Sequence, residues 1–155
     1  MKRSAIWRLA VGVGLASSLL SAAFALMGRD QPTVEEMKAR VADTNPADRP
    51  ALCLHICERQ LEVAEKLYGA GDSERAQAAL SDVVAYAELD RDYAIQSHKH
   101  EKQSEIAIRK MARKLGDIKH TVSHDDQEHI QMAVDRLQRI RDDLLAAMFP
   151  KGGKK

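Results

Sequence analysis

Cys53 and Cys57 are four residues apart, and this spacing suggests metal binding or disulfide chemistry more than any other in the chain. Residues four apart lie on one face of a helix, whereas His55 between them points to another side, so the three side chains do not converge on one metal ion. A disulfide within one regular helix is strained, because the two Cβ atoms do not face each other. The alternatives are therefore two small buried hydrophobic side chains, a strained or intermolecular redox pair, or a minor metal ligand set.

Three of the six histidines are candidate metal ligands: His120, His124 and His129. His120 and His124 have the four-residue spacing with which a helix presents two imidazoles to zinc, copper or nickel. Residues 121–126, however, are predicted to end the helix, and that break would separate the imidazoles. The alternative is surface histidines beside loops. We predict no resident metal or other cofactor, and retain the three histidines as candidates.

No catalytic motif is present in the sequence. There is no glycine-rich phosphate loop, no nucleophile elbow and no pattern of a cysteine protease. The paired carboxylates Asp125-Asp126 and Asp142-Asp143 have the spacing of helix-capping or solvated residues. We therefore predict that the protein is not an enzyme.

The composition indicates a helical bundle or coiled coil. Among 155 residues, 30% are charged and only 4% are aromatic, a balance typical of such folds. Basic and acidic residues number 24 and 23, which gives a net charge of +1. Because neither strong positive charge nor stacking aromatics are available, we predict that nucleic acid is not a partner.

The first 25 residues have the three-part layout of a secretory signal peptide. A basic start, Met1-Lys2-Arg3, precedes the uncharged run 9–20, and small residues follow at Ala23 and Ala25. The run is short for a membrane span, which needs about 20 apolar residues. We predict cleavage after Ala25 and export to the periplasm or cell exterior, without membrane association afterwards. The alternative is an uncleaved signal anchor.

Hydrophobic periodicity divides the rest of the chain. Residues 26–50 are predicted to be a flexible segment that carries a short helix at 34–42, introduced by the capping box from Thr33 to Glu36. Residues 51–149 form the predicted helical domain, with helices at 51–68 and 127–148. In both helices apolar residues recur at alternating spacings of three and four residues, which places them in one stripe, or seam, along the helix. Residues 150–155 are predicted to be a disordered basic tail.

The central stretch, about 72–122, decides the architecture. It contains no proline, and its first glycine is Gly116. We predict an all-α fold in which antiparallel helical hairpins share this stretch as one long helix. From Asp90 to Glu101 the residues at the seam positions are small or polar. This indicates a helix with little packed against it there. The alternative is a four-helix bundle with a turn near 98–103.

Residues 67–80 resemble the helical hairpin of a tetratricopeptide repeat. Tyr68, Gly71, Ala76 and Leu80 fall near that family's positions, although the spacing from Tyr68 to Gly71 is one residue short. There is no second copy, and such repeats stack to form a core. Residues 50–149 are more broadly similar to small exported bacterial helical proteins of uncharacterised function, a resemblance that implies no reaction.

Two functions fit these patterns. The first is a non-catalytic, exported helical interaction or scaffold protein, which acts through its apolar seams on a protein partner or on itself. The second is a periplasmic metal-binding or stress-response protein that uses the histidine cluster. Metal titration would distinguish the two.

Overall fold

The computed structural model describes residues 31–150, and within this range all regular secondary structure is α-helical. The five helices are α1 (Val34–Arg40), α2 (Arg49–Gly69), α3 (Ser73–Ser97), α4 (Glu101–Lys119) and α5 (His124–Met148). The predicted all-α fold is confirmed. The predicted signal peptide at residues 1–25 and the tail at 151–155 lie outside the described residues.

Side-chain caps fix where several helices begin. The Thr33 hydroxyl accepts from the Glu36 amide while the Glu36 carboxylate accepts from the Thr33 amide, so the predicted capping box is present. The Asp72 carboxylate accepts from the Arg75 amide at the start of α3. Between α2 and α3, Gly71 has a φ of 77°, a conformation that glycine adopts without steric cost. The short connection makes α2 and α3 a hairpin.

Four helices form two antiparallel hairpins packed side by side. Helices α2 and α3 run in opposite directions, because Cys57 contacts Val83, whereas Gln60, later in α2, contacts Asp82, earlier in α3. The pairs Glu105–Arg141 and Lys119–Gln131 show the same for α4 and α5.

Across the two hairpins, α3 runs parallel to α5. The Gln77 amide donates to Asp126, and further along both helices Arg91 pairs with Asp143. α3 also contacts α2 and α4, so it touches every other helix of the bundle.

The predicted seams form one core. Its buried side chains come from all four long helices and include Leu61, Ala64, Leu80, Val83, Ile108, Met111, Leu115, Ile118, Ile130, Ala133, Leu137, Ile140 and Leu144. Full burial of each larger aliphatic side chain is worth about 1.5–3 kcal/mol, so this core is the main source of stability.

The short helix α1 packs against the bundle. Met37 and Val41 are buried together with Cys53 and Ile56 of α2. The Lys38 ammonium lies 2.6 Å from the Asp82 carboxylate of α3, which ties α1 to a second helix. Within the described part of the predicted flexible segment 26–50, helix α1 therefore packs on the core rather than standing apart from it.

The predicted continuous central helix is wrong, and the alternative with a turn is the one that the structure has. α3 ends at Ser97 and α4 begins at Glu101. The turn, which we call the elbow, comprises His98, Lys99 and His100. His98 and His100 adopt left-handed φ values of 53° and 67°, conformations that are uncommon outside glycine.

No helix within residues 31–150 is long and apolar enough to span a membrane.

Candidate functional site

The two cysteines are buried free thiols on the inner face of α2. Both Cys53 and Cys57 have no exposed surface. The Cys57 thiol donates to the Val83 carbonyl oxygen at 3.4 Å. Burial raises the pKa of Cys53 to about 12, with a smaller contribution from the charge of Asp90, and burial likewise raises the pKa of Cys57. Protonated, inaccessible thiols are poor nucleophiles, so the geometry matches the interpretation of two small buried side chains.

A buried aspartate lies close to these thiols. Asp90, on α3, has no exposed surface. Its Oδ1 accepts a hydrogen bond of 2.8 Å from the Ser104 hydroxyl of α4, whereas its Oδ2 has no hydrogen-bond partner within the described residues. Desolvation raises the pKa of Asp90 to about 7, and the Ser104 hydrogen bond only partly opposes this shift.

The Asp90–Ser104 hydrogen bond spans the elbow. Ser104 lies in the first turn of α4, and its hydroxyl is the buried polar link from that turn to α3. Nearby, the Oε1 atom of Glu101 is also buried without a hydrogen bond, 3.7 Å from the Nδ1 atom of His98. Two left-handed residues of the elbow therefore lie close to two carboxyl groups that are incompletely paired. Both features cost free energy in the folded state.

The three candidate histidines do not form one site. His120 caps the end of α4, and His124 is the first residue of α5, so the predicted break separates them. His129 lies a turn further along α5, and all three side chains are exposed. No group of three His, Cys, Asp or Glu side chains within residues 31–150 is placed to hold a metal ion. The metal-binding hypothesis therefore gains no geometric support from the described residues.

A second buried carboxylate joins the starts of α3 and α5. Asp126 accepts from the Ser73 hydroxyl at 2.7 Å, from the Gln77 amide at 3.1 Å and from the Ser123 hydroxyl at 2.7 Å. These hydrogen bonds, that from Ser123 first, lower the pKa of Asp126. This carboxylate is fully paired, in contrast to Asp90, and its place in the first turn of α5 suits the helix dipole.

An open groove between α3 and α5 has a volume of about 670 Å³. We call it the α3–α5 groove. Its floor contains apolar side chains, among them Leu80, Val84 and Ala133, and Met132 stands on its α5 side with 53% of its surface exposed. Glu74 and Glu88 line the α3 side, while His129, Arg136 and Arg139 line the α5 side. An open, partly apolar groove with charged rims suits a helix better than a small molecule.

Two of these features were not predicted from the sequence. Asp90 was placed in the right register, between the buried Ala87 and Ala94, but its polarity was taken as a sign of sparse packing. The α3–α5 groove was missed because Met132 lies off the α5 seam, and an isolated exposed methionine gives no periodic signal. An acidic residue in register with buried alanines is the signal that would have identified Asp90.

Comparisons of this chain with protein-family models, with curated proteins and with solved structures find no match. The resemblances to a tetratricopeptide hairpin and to small exported helical proteins thus stay predictions.

Proposed function

We propose that this protein is a non-catalytic, exported interaction protein that receives an amphipathic helix in its α3–α5 groove. The observation that carries the proposal is the exposure of Met132 beside an apolar floor on an otherwise charged surface. Methionine is flexible and polarisable, and it adapts to the side chains of a docked partner. Export rests on the sequence of residues 1–25.

The buried residues of the bundle support a binding role rather than catalysis. The two thiols are held protonated by burial, and Asp90 faces the interior, where no substrate reaches it. The α3–α5 groove, in contrast, is open along two helices of 25 residues each. Helices dock in such grooves through apolar side chains at positions i, i+3, i+4 and i+7, with charged residues along the rims.

The proposal is tested by comparing two matched variants of the full chain. Met132→Glu places a charge in the α3–α5 groove, whereas Val63→Glu places the same charge on α2, where Val63 is 39% exposed. Each variant and the wild-type chain are tagged and purified from the envelope fraction of the source cell, and the co-purified proteins, including untagged copies of the chain, are quantified. We expect a partner that is retained by wild type and Val63→Glu but lost from Met132→Glu. Equal recovery of every protein with both variants would refute the proposed function.

A further inference from the structure

The two sides of the α3–α5 groove carry opposite charge. On α3 the charged lining residues are Glu74 and Glu88, and on α5 they are Arg136 and Arg139, with the His129 imidazole beside them. Arg136 pairs with Glu88 within the chain. Within residues 31–150, neither Glu74 nor Arg139 forms an ion pair. Arg139, one turn beyond Arg136 on the basic side, is therefore available to a docking surface, whereas Glu74 lies near the opposite end of the groove.

The direction of the helices decides which partner this charge pattern fits. Because α3 and α5 run parallel, a two-fold axis along the groove would place α3 of one chain over α5 of another chain, in the same direction. Glu88 of each chain then faces the Arg136 and Arg139 side of the other chain, and this contact occurs twice, once at each half of the interface. A two-fold axis across the groove would instead place α3 on α3 and bring like charges together.

The shapes of the two sides are also complementary. Contacts within the chain place Asp126 beside Gln77 and Arg136 beside Glu88. Met132, which lies between Asp126 and Arg136 on α5, is therefore level with the part of α3 between Gln77 and Glu88. The exposed residues of α3 at this height that line the groove are small: Ala78, Ser81 and Ala85. Small side chains leave a gap on this part of the α3 surface. With the two-fold axis along the groove, Met132 of each chain would pack into that gap on the other chain. A flexible thioether side chain fills such an irregular gap well.

The available surface has the size of a stable dimer interface. Helices of 25 residues are about 37 Å long, and two adjacent helices present a face roughly 20 Å wide. If both helices take part over their whole length, the area is at most about 700 Å² on each chain, against roughly 800 Å² per partner of a standard-size interface.

From these observations we infer that the amphipathic helices docked over the α3–α5 groove are α3 and α5 of a second copy of the same chain, which forms a two-fold dimer with α3 against the partner's α5. This inference rests on the proposed function and names its partner. The contacts that define the dimer are Met132 against Ala78, Ser81 and Ala85 of the other copy, and Arg139 against Glu88 of the other copy.

Sedimentation equilibrium of the full chain tests the inference. We expect wild type and Val63→Glu to have twice the 17.2 kDa mass of one chain. Met132→Glu is expected to weaken the dimer by at least about a hundredfold, because it buries a charge without a partner. All three proteins share residues 1–30, so association through that segment would affect them equally. Far-ultraviolet circular dichroism confirms that each variant keeps its helices.

Cross-linking tests the direction of the axis. A mixture of Ser81→Cys and Met132→Cys chains is expected to form a disulfide between the two variants under mild oxidation. Met132→Cys alone is expected not to, because the two α5 helices lie on opposite sides of the interface. A dimer that cross-links through Met132→Cys alone, or that survives Met132→Glu, would overturn the proposed geometry.

A monomeric wild-type chain would overturn the inference in either of two ways. If an envelope partner is still lost from Met132→Glu, the groove receives a helix of a different protein, and the proposed function stands without the dimer. If no protein depends on Met132, both the dimer and the proposed function are wrong.

Discussion

Asp90 places a carboxyl group where an aliphatic side chain would ordinarily lie. One of its oxygens accepts from Ser104, and the other has no hydrogen-bond partner in the described part of the chain. The titratable groups of α2 that face it are the Cys53 and Cys57 thiols, which are neutral. From α4 it meets the Ser104 hydroxyl, and the neighbouring Glu105 is already paired with Arg141 of α5. Within residues 31–150 no cation pairs with this carboxylate, so the ionised form is disfavoured.

The folded state therefore binds the Asp90 proton more tightly than the unfolded chain does. Its pKa rises from 3.8 to about 7, so its contribution to stability is complete below pH 4 and is lost as the pH rises to about 7. Asp90→Asn keeps the shape of the protonated acid and cannot ionise. We expect this variant to match wild type near pH 4 and to exceed its free energy of unfolding above pH 7 by up to about 4 kcal/mol. Urea denaturation at a series of pH values measures the difference.

Asp92→Asn is the matched control. Asp92 lies on the same helix, its side chain is 60% exposed, and it pairs with Arg91. Its replacement is expected to leave the pH dependence of stability as in wild type. A stability difference between Asp90→Asn and wild type that stays constant from pH 4 to pH 8 would show that Asp90 titrates normally in the folded protein.

At the scale of the helices, the elbow strains the backbone of two residues but allows additional aliphatic side chains to be buried. A left-handed conformation costs a residue with a side chain roughly 1–2 kcal/mol, so His98 and His100 together cost about 2–4 kcal/mol. The turn lets the second hairpin fold back onto the first, where Leu61 of α2 and Met111 of α4 line one surface and Leu80 and Ala133 another. Burial of two or three additional aliphatic side chains outweighs the strain.

Glycine at the first elbow position removes part of this strain. We expect His98→Gly to raise the free energy of unfolding by about 0.5–1 kcal/mol, since glycine adopts a φ of 53° freely. The control is His55→Gly, because His55 is an exposed histidine inside α2, where glycine lowers stability by about 0.5 kcal/mol. Chemical denaturation of both variants at pH 7 tests the opposite signs. A loss of stability in both variants would mean that His98 is not strained.

Periodicity predicted the helices and their antiparallel hairpins, but not the packing of one hairpin against the other. The seams of α4 and α5 repeat at three and four residues, which fixes their inner faces, and the start of α1 followed from its Thr33–Glu36 capping box. The sequence predicts the turn only as the alternative to a continuous helix, because residues 97–104 contain neither glycine nor proline and the energy that breaks the helix comes from contacts distant in sequence. Asp90 and Ser104 meet only after the chain turns, so neither residue alone predicts their hydrogen bond.

At the scale of the whole molecule, two hairpins are held together along the parallel pair α3 and α5. Asp126 is the polar centre of this junction, because it receives hydrogen bonds from Ser73 and Gln77 of one hairpin and from Ser123 of the other. Its pH dependence is opposite to that of Asp90. The lowered pKa of Asp126 means that its stabilising contribution is present above the unfolded value of 3.8 and is lost as the pH falls through the folded value.

Removal of one donor to Asp126 should loosen the junction in a pH-dependent way. Ser73→Ala is expected to lower the free energy of unfolding by about 1–2 kcal/mol at pH 7, because it takes a hydrogen bond from a buried carboxylate. The matched control is Ser81→Ala on the same helix, since the Ser81 hydroxyl donates only to the Gln77 carbonyl within α3. Its effect is expected to stay within about 0.5 kcal/mol.

Acid should remove the difference between these two serine variants. Below the folded pKa of Asp126 the carboxyl is protonated, the charge-assisted hydrogen bond from Ser73 becomes an ordinary one, and much of the penalty of Ser73→Ala disappears. Unfolding of wild type and both variants, followed by circular dichroism from pH 7 to pH 2, measures this convergence. If Ser73→Ala costs the same at every pH, Asp126 does not join the hairpins as a charged acceptor, and the apolar contacts and the ion pairs between α3 and α5 hold them together without it.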